Sequence, residues 1–378
     1  MKKLSSKQIL RDKRRVLLER RKTSKERIRQ SKELKEIALE VNNWVKRRIK
    51  EGLNIKFLTK RDVAICLPER MNFSSDYEST ALYIQAIRRL ASRSKVNRKQ
   101  LKLVSVDFSK LKKMSTSAGL ALTAELSKWD DSISKRLKPV TDNWDPEIVN
   151  RFRELGFFDL FSSSDEENQI SLPPQEADLS IVKYIKSRCK GSSQTRLLRS
   201  ELQRITGKEI DKWTFLRSGL NEAITNVGQH AYPPTYKFRE VDKNWYLTGS
   251  YRRSTRVLKI IFYDQGIGIP NSLPASELWE KVYQFMSELS VDVGLRKRDE
   301  RLLKAAVEVE RTRTGKSDRG KGLPDMLEFV RKRGEGYLSI LSLRGLYKFS
   351  IENGKEKVKT VSFDNRLYGT LIIWQTTL

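Results

Sequence analysis

The sequence predicts an α/β protein built in several parts, and three observations carry that reading. Residues 53–135 alternate strand-like and helix-like patterns. Residues 178–378 place glycine turns directly after one strand pattern and before one helical pattern. The stretch between them, residues 136–177, is broken by proline and serine and reads as a connector. A basic helical arm, residues 1–52, precedes all three. The chain of 378 residues is long enough for two or three domains and a sizeable core.

The arm is where the charge concentrates. The chain holds 76 Lys and Arg against 47 Asp and Glu, a net +29. Residues 1–50 alone hold 19 against 6. They contain neither Gly nor Pro, and Lys, Arg, Leu and Glu are good helix formers. Asp12, Glu19, Glu26, Glu33 and Glu40 recur every seven residues, with Arg15, Lys22 and Arg29 three places after the first three. Leu34, Ile37, Val41, Trp44, Val45 and Ile49 follow a 3–4 spacing and predict a docking stripe at the end of the helix. Such a run is either a solvated charged helix or an arm that touches nucleic acid or an acidic protein partner. No helix-turn-helix, zinc-finger or RNA-recognition signature accompanies it.

Composition excludes several classes. No apolar run approaches the roughly 20 residues of a membrane helix. The opening Met1-Lys2-Lys3-Leu4 leads into more charge, so no secretory signal and a cytoplasmic location are expected. Cys66 and Cys189 lie far apart and form no metal or redox motif. The single histidine leaves little for a transition-metal site, and Ser-His-Asp chemistry only with His230 as its base.

In residues 53–135, Val63–Leu67 is a short apolar strand, Asp76–Ser92 an amphipathic helix, and Leu101–Phe108 an alternating strand. Leu111–Gly119 makes a turn and Leu120–Trp129 returns to helix. Val106-Asp107-Phe108-Ser109-Lys110-Leu111, followed by Ser115-Thr116-Ser117-Ala118-Gly119-Leu120, resembles the STAS domain of anti-sigma-factor antagonists. The resemblance covers about 80 residues and implies Ser117 as a phosphosite. Thr116 and Ala118 depart from the family's aspartate and second serine. Physically, Ser117 needs only to be a helix-capping hydroxyl.

The strongest signals follow residue 178. Trp213–Ala231 is a long helical pattern with Glu222, Asn226 and His230 spaced i, i+4, i+8 on one stripe. Carboxylate and carboxamide oxygens suit Mg²⁺ or an activated water; the same stripe also suits plain solvent exposure. Arg256–Tyr263 predicts a strand running into Asp264-Gln265-Gly266-Ile267-Gly268, where two glycines let the backbone approach a ligand. Gly315-Lys316-Ser317-Asp318-Arg319-Gly320-Lys321-Gly322 precedes an amphipathic helix, and its amides and cations could cradle a phosphate. Gly322 stands where a Walker A loop needs Ser or Thr, which disfavours a P-loop. Tyr337–Leu343 and Arg366–Gln375 predict closing strands, the second containing Gly369-Thr370.

Taken in this order, residues from about 195 to the end resemble the GHKL ATPases, the superfamily of gyrase B, heat-shock ninety chaperones, histidine kinases and MutL. Glu222-Ala223-Ile224-Thr225-Asn226-Val227-Gly228-Gln229-His230 is most similar to the anti-sigma-factor serine kinases. The resemblance implies an α/β sandwich with a mixed sheet, and ATP and Mg²⁺ as cofactors. It makes Glu222 the general base, Asn226 the Mg²⁺ ligand and Asp264 the partner of the adenine amine. His230, Lys316, Gly320, Lys321 and Gly322 would border the phosphates, Gly266 and Gly268 would shape the pocket, and Thr370 would support the adenine end. Residues 271–314 would form an enlarged lid. Asp318 and Gln229 depart from the family pattern, which touches phosphotransfer more than nucleotide binding. No phosphoacceptor histidine precedes the motifs, which argues against a histidine kinase. A nucleotide-dependent switch, a serine/threonine kinase and a nucleic-acid-associated ATPase remain, and a homodimer stays open.

Overall fold

The computed structural model describes residues 6–91, 99–128, 141–161, 178–188, 192–275, 279–288, 298–313 and 322–378. Its first elements are α1 (Ser6–Lys50), β1 (Ile55–Phe57), β2 (Asp62–Cys66), β3 (Arg70–Met71), α2 (Tyr77–Leu90), β4 (Lys102–Asp107) and β5 (Lys113–Met114). Next come α3 (Thr116–Leu126), α4 (Pro146–Leu155), β6 (Leu179–Ile181), β7 (Ile185–Ser187), α5 (Ser192–Thr206) and α6 (Trp213–Asn226). The chain closes with β8 (Trp245–Arg252), β9 (Val257–Asp264), α7 (Ile269–Ser272), α8 (Trp279–Glu288), α9 (Asp299–Arg313), α10 (Leu323–Arg333), β10 (Gly336–Glu352) and β11 (Lys355–Thr377). Contacts divide the chain into two compact units, Met1–Cys66 with Ala86–Val106, and Leu67–Gln85 with Asp107–Leu378.

In the first unit, α1 buries Ala38, Val41, Trp44 and Val45. Ile37 and Ile49 of the expected stripe are exposed, because the buried face turns onto the small Ala38 instead. The Asn42 carboxamide fixes the chain before β4: its Nδ2 donates to the Lys99 carbonyl at 2.9 Å and its Oδ1 accepts from the Leu101 amide at 3.0 Å. Arg29 pairs with Glu33, four residues on, rather than with Glu26. Strands β1, β2 and β4 form a three-stranded sheet in that order.

The second unit is organised by a six-stranded sheet of order β10-β11-β9-β8-β6, with β7 also on β8. All of its pairings are antiparallel, whereas the family resemblance implies a mixed sheet. β8–β9 and β10–β11 are hairpins, and the helical crossover from β9 leaves β10 parallel to β9 but separated from it by β11, so no two parallel strands are neighbours. Apolar residues of one sheet face, among them Leu247, Ile260, Phe262, Ile372 and Trp374, pack with Leu202, Leu220 and Phe329 of α5, α6 and α10 in one core. The Trp374 indole donates to the Met326 carbonyl at 2.9 Å and ties β11 to α10.

Several elements differ from the sequence reading. The stretch expected as connector contains α4, capped by Asp145 and closed by Gly156, and Phe152 and Phe157 at its end pack with Phe108 and Trp144. Helix α3 begins at Thr116, before the expected turn is complete, because Ser115 Oγ accepts from the Ala118 amide at 3.2 Å. The cap is therefore Ser115 and not Ser117. β10 and β11 run far beyond the expected strands, joined at Asn353-Gly354 with φ of 53° and 72°. Asn-Gly is the preferred turn for a two-residue hairpin, so that signal was present in the sequence. The start of α2 holds this hairpin: the Glu78 carboxylate accepts from the Asp364 and Asn365 amides, each at 2.8 Å.

Candidate functional site

The site grows from the end of β9. Asp264 is the last residue of that strand and stands opposite Trp245 of β8 and Thr370 of β11. Its parity matches Phe262, Ile260 and Leu258, so the carboxyl points to the helix-covered face. Asp264 Oδ1 accepts from the Gly266 amide at 2.8 Å, and the Thr370 hydroxyl donates to the same carboxyl. Burial raises its pKa from 3.8 to about 7, against the smaller lowering effect of those bonds.

The glycine turn after Asp264 is held from three sides. A Cβ on Gly266 would lie 2.4 Å from the Ala231 carbonyl, and the Ile267 amide donates to that carbonyl at 2.9 Å. Gly369 (φ +81°) passes so close that a Cβ there would sit 2.0 Å from the Asp264 carbonyl. Buried Ser342 on β10 joins the pieces: its Oγ accepts from the Ile269 amide at 3.0 Å and donates to the Gly369 carbonyl at 3.0 Å. Behind the turn, Gln265 Nε2 donates to Glu125 of α3 at 2.7 Å, and Glu125 faces Lys128 at 3.8 Å, all three side chains buried.

Helix α6 supplies the opposite wall. It runs as α-helix to Asn226 and continues as a π-helical turn over Val227–Ala231. The turn changes the angular step of the expected stripe. Asn226 and His230 line a cleft together with Asp264, Gly268, Thr370 and Met326. That cleft has a volume of about 80 Å³. Glu222, one turn earlier, is half-buried and lies outside the lining. Burial and the nearby Asp325 carboxylate raise its pKa. Desolvation lowers the pKa of His230 and favours the neutral ring.

Gly322 is the N-cap residue of α10, and the helix's first residue, Leu323, lines the cleft. Lys316, Gly320 and Lys321 lie outside the described residues, as does Cys189. Ser117 is buried in the first turn of α3, its hydroxyl 3.1 Å from that of Ser115, and it lines a different cavity. Ser342, Gln265, Glu125 and Tyr232, whose hydroxyl accepts from the Gln265 amide at 3.1 Å and donates to the Asn244 carbonyl at 2.7 Å, carry structural parts that the sequence reading missed. For Ser342 and Glu125 the only sequence signal was polarity inside an apolar stretch. Among the described residues no cluster of three His, Cys, Asp or Glu could hold a metal ion, and no helix is long and apolar enough to cross a membrane. Comparison with protein-family models and with curated proteins returned no match.

Proposed function

We propose that the C-terminal part of this chain binds Mg-ATP as a GHKL-type ATPase whose nucleotide state switches a regulatory surface. One observation carries the reading: a buried carboxyl at a strand end, Asp264, shares a cleft with Asn226 of α6 and Thr370 of β11. Asp264 and the Thr370 hydroxyl are fixed polar groups in an otherwise apolar slot, which suits the edge of a purine. Asp264 accepts the exocyclic amine, while Phe262, Ile269 and Met326 enclose the ring. At about 80 Å³ the slot is smaller than a whole nucleotide. The phosphates therefore lie outside it, towards His230 and the Gly322 start of α10, where first-turn amides favour an anion.

Mg²⁺ would supply charge neutralisation on the triphosphate. The Asn226 carboxamide oxygen is the donor the protein offers, and phosphate oxygens and water complete such a shell. Glu222 takes the proton of the attacking water. A carboxyl raised above its ordinary pKa is a better base near neutrality than an exposed one. Neutral His230 donates a hydrogen bond to a phosphate oxygen.

The test is a titration of the full chain with a fluorescent non-hydrolysable ATP analogue, with and without Mg²⁺. Asp264→Ala should bind about 30-fold more weakly or worse, the scale of a lost hydrogen bond to a charged group. Glu222→Ala should bind like wild type and hydrolyse nothing. Equal binding by the Asp264→Ala variant would overturn the reading.

A further inference from the structure

A second, larger cavity lies on the other face of the same sheet. Its volume is about 670 Å³, within the roughly 300–1,000 Å³ of small-molecule sites. The floor is a row across four strands: Ser250, Lys259, Gln375 and Tyr337 stand in register on β8, β9, β11 and β10. Ile261 and Ile373 form the next row and give the floor an apolar strip. The walls come from β3, from the first turn of α3 and from α4.

The charges in this cavity are unbalanced. Three of its cations already have acids: Arg70 faces Asp76 at 3.6 Å, Arg151 holds Glu147, and Arg252 holds Asp178. Lys113 on the rim and Lys259 on the floor pair with no acid among the described residues. Lys259 is the more telling, because it is half-buried on a central strand. Its charged neighbours are Arg252 and Lys348, and burial together with their repulsion lowers its pKa. A desolvated ammonium beside like charges is costly unless an anion joins it. The hydroxyls of Ser115 and Ser117 and the amides of Thr116 and Ser117, the first two residues of α3, add donors on the facing wall; the Ala118 amide is taken by the Ser115 cap.

We propose that this cavity binds a phosphorylated small molecule, its phosphoryl groups between Lys259 and Lys113 and its organic part on Ile261 and Ile373. The walled shape favours a compact ligand over a nucleic-acid strand. The site is independent of the cleft around Asp264.

Inorganic pyrophosphate is the probe, titrated calorimetrically into the full chain at low and moderate salt. Wild type should bind one equivalent, and Lys259→Gln and Lys113→Gln should each weaken it about tenfold or more. His230→Ala, at the phosphate end of the cleft, should leave it unchanged, which separates this cavity from the cleft. Lys113 is exposed, so its variant tests the site even where Lys259→Gln perturbs the sheet. Absence of binding, indifference to both lysine changes, or loss in His230→Ala would overturn the proposal. So would a short RNA that competes through Lys259 and that pyrophosphate cannot displace.

Discussion

Strand β9 turns two ionisable residues to opposite faces of one sheet, and their surroundings could hardly differ more. Asp264 is fully buried, yet an amide and a hydroxyl donate to it and burial pushes it to about pH 7. Lys259 is only half-buried, but it meets two other cations and no paired acid. Desolvation destabilises both charged forms. On the helix-covered face the fold itself supplies compensation, through a glycine turn built around the carboxyl. On the α3 face it leaves a cavity, and the compensation has to come from outside. The contrast teaches that the framework protects the acid and exposes the cation to a ligand.

The contrast breaks most severely at Gly369. Alanine there should cost at least about 3 kcal/mol, since positive φ adds to a backbone clash with Asp264. Gly354→Ala, also at positive φ but in open space, should cost only about 1 kcal/mol. Urea denaturation of the two variants measures the difference, and equal costs would dismiss the tight framework around Asp264.

Glu125→Ala comes next. It removes the acceptor of Gln265 and the carboxylate facing buried Lys128, so about 3 kcal/mol of stability should go. A loss below about 1 kcal/mol would show that α3 does not brace the glycine turn.

The pH dependence sharpens the acid's side. Because the folded-state pKa of Asp264 lies above its ordinary 3.8, the folded state keeps a proton that the unfolded chain releases. Its stabilising contribution is complete below pH 3.8 and is lost as pH rises towards about 7. Asp264→Asn should flatten this part of the stability profile, compared by urea midpoints at about pH 5 and about pH 8. An unchanged slope would mean that the carboxyl is ionised throughout. The smallest effect belongs to the cavity wall: Ser115→Ala should cost about 1 kcal/mol through loss of the α3 cap. Ser117→Ala should cost less, which thermal unfolding of the pair can decide.

What was legible in the sequence was mostly local. Uncapped runs of Lys, Glu and Leu marked α1, the i, i+4 spacing placed Asn226 and Glu222 a turn apart, and Asp-x-Gly-x-Gly marked a strand ending in a tight turn. The Asn353-Gly354 hairpin is equally local: Tyr347, Phe349 and Ile351 alternate on its buried β10 arm, while its β11 arm over residues 355–360 is exposed and largely charged and shows no apolar alternation. Patterns of this kind need only backbone geometry and nearest neighbours, which the order of residues already contains. Tertiary structure decided the rest. It put Asn226, Asp264 and Thr370 around one cleft, left Glu222 just beyond it, and set Glu125 of α3 behind the glycine turn. It also gathered Lys259, Lys113 and Ser117 around one cavity, though up to 146 positions separate them in the chain. Burial raises the pKa of Asp264, and burial with like-charged neighbours shifts Glu222 up and Lys259 down, which happens only once distant segments pack together.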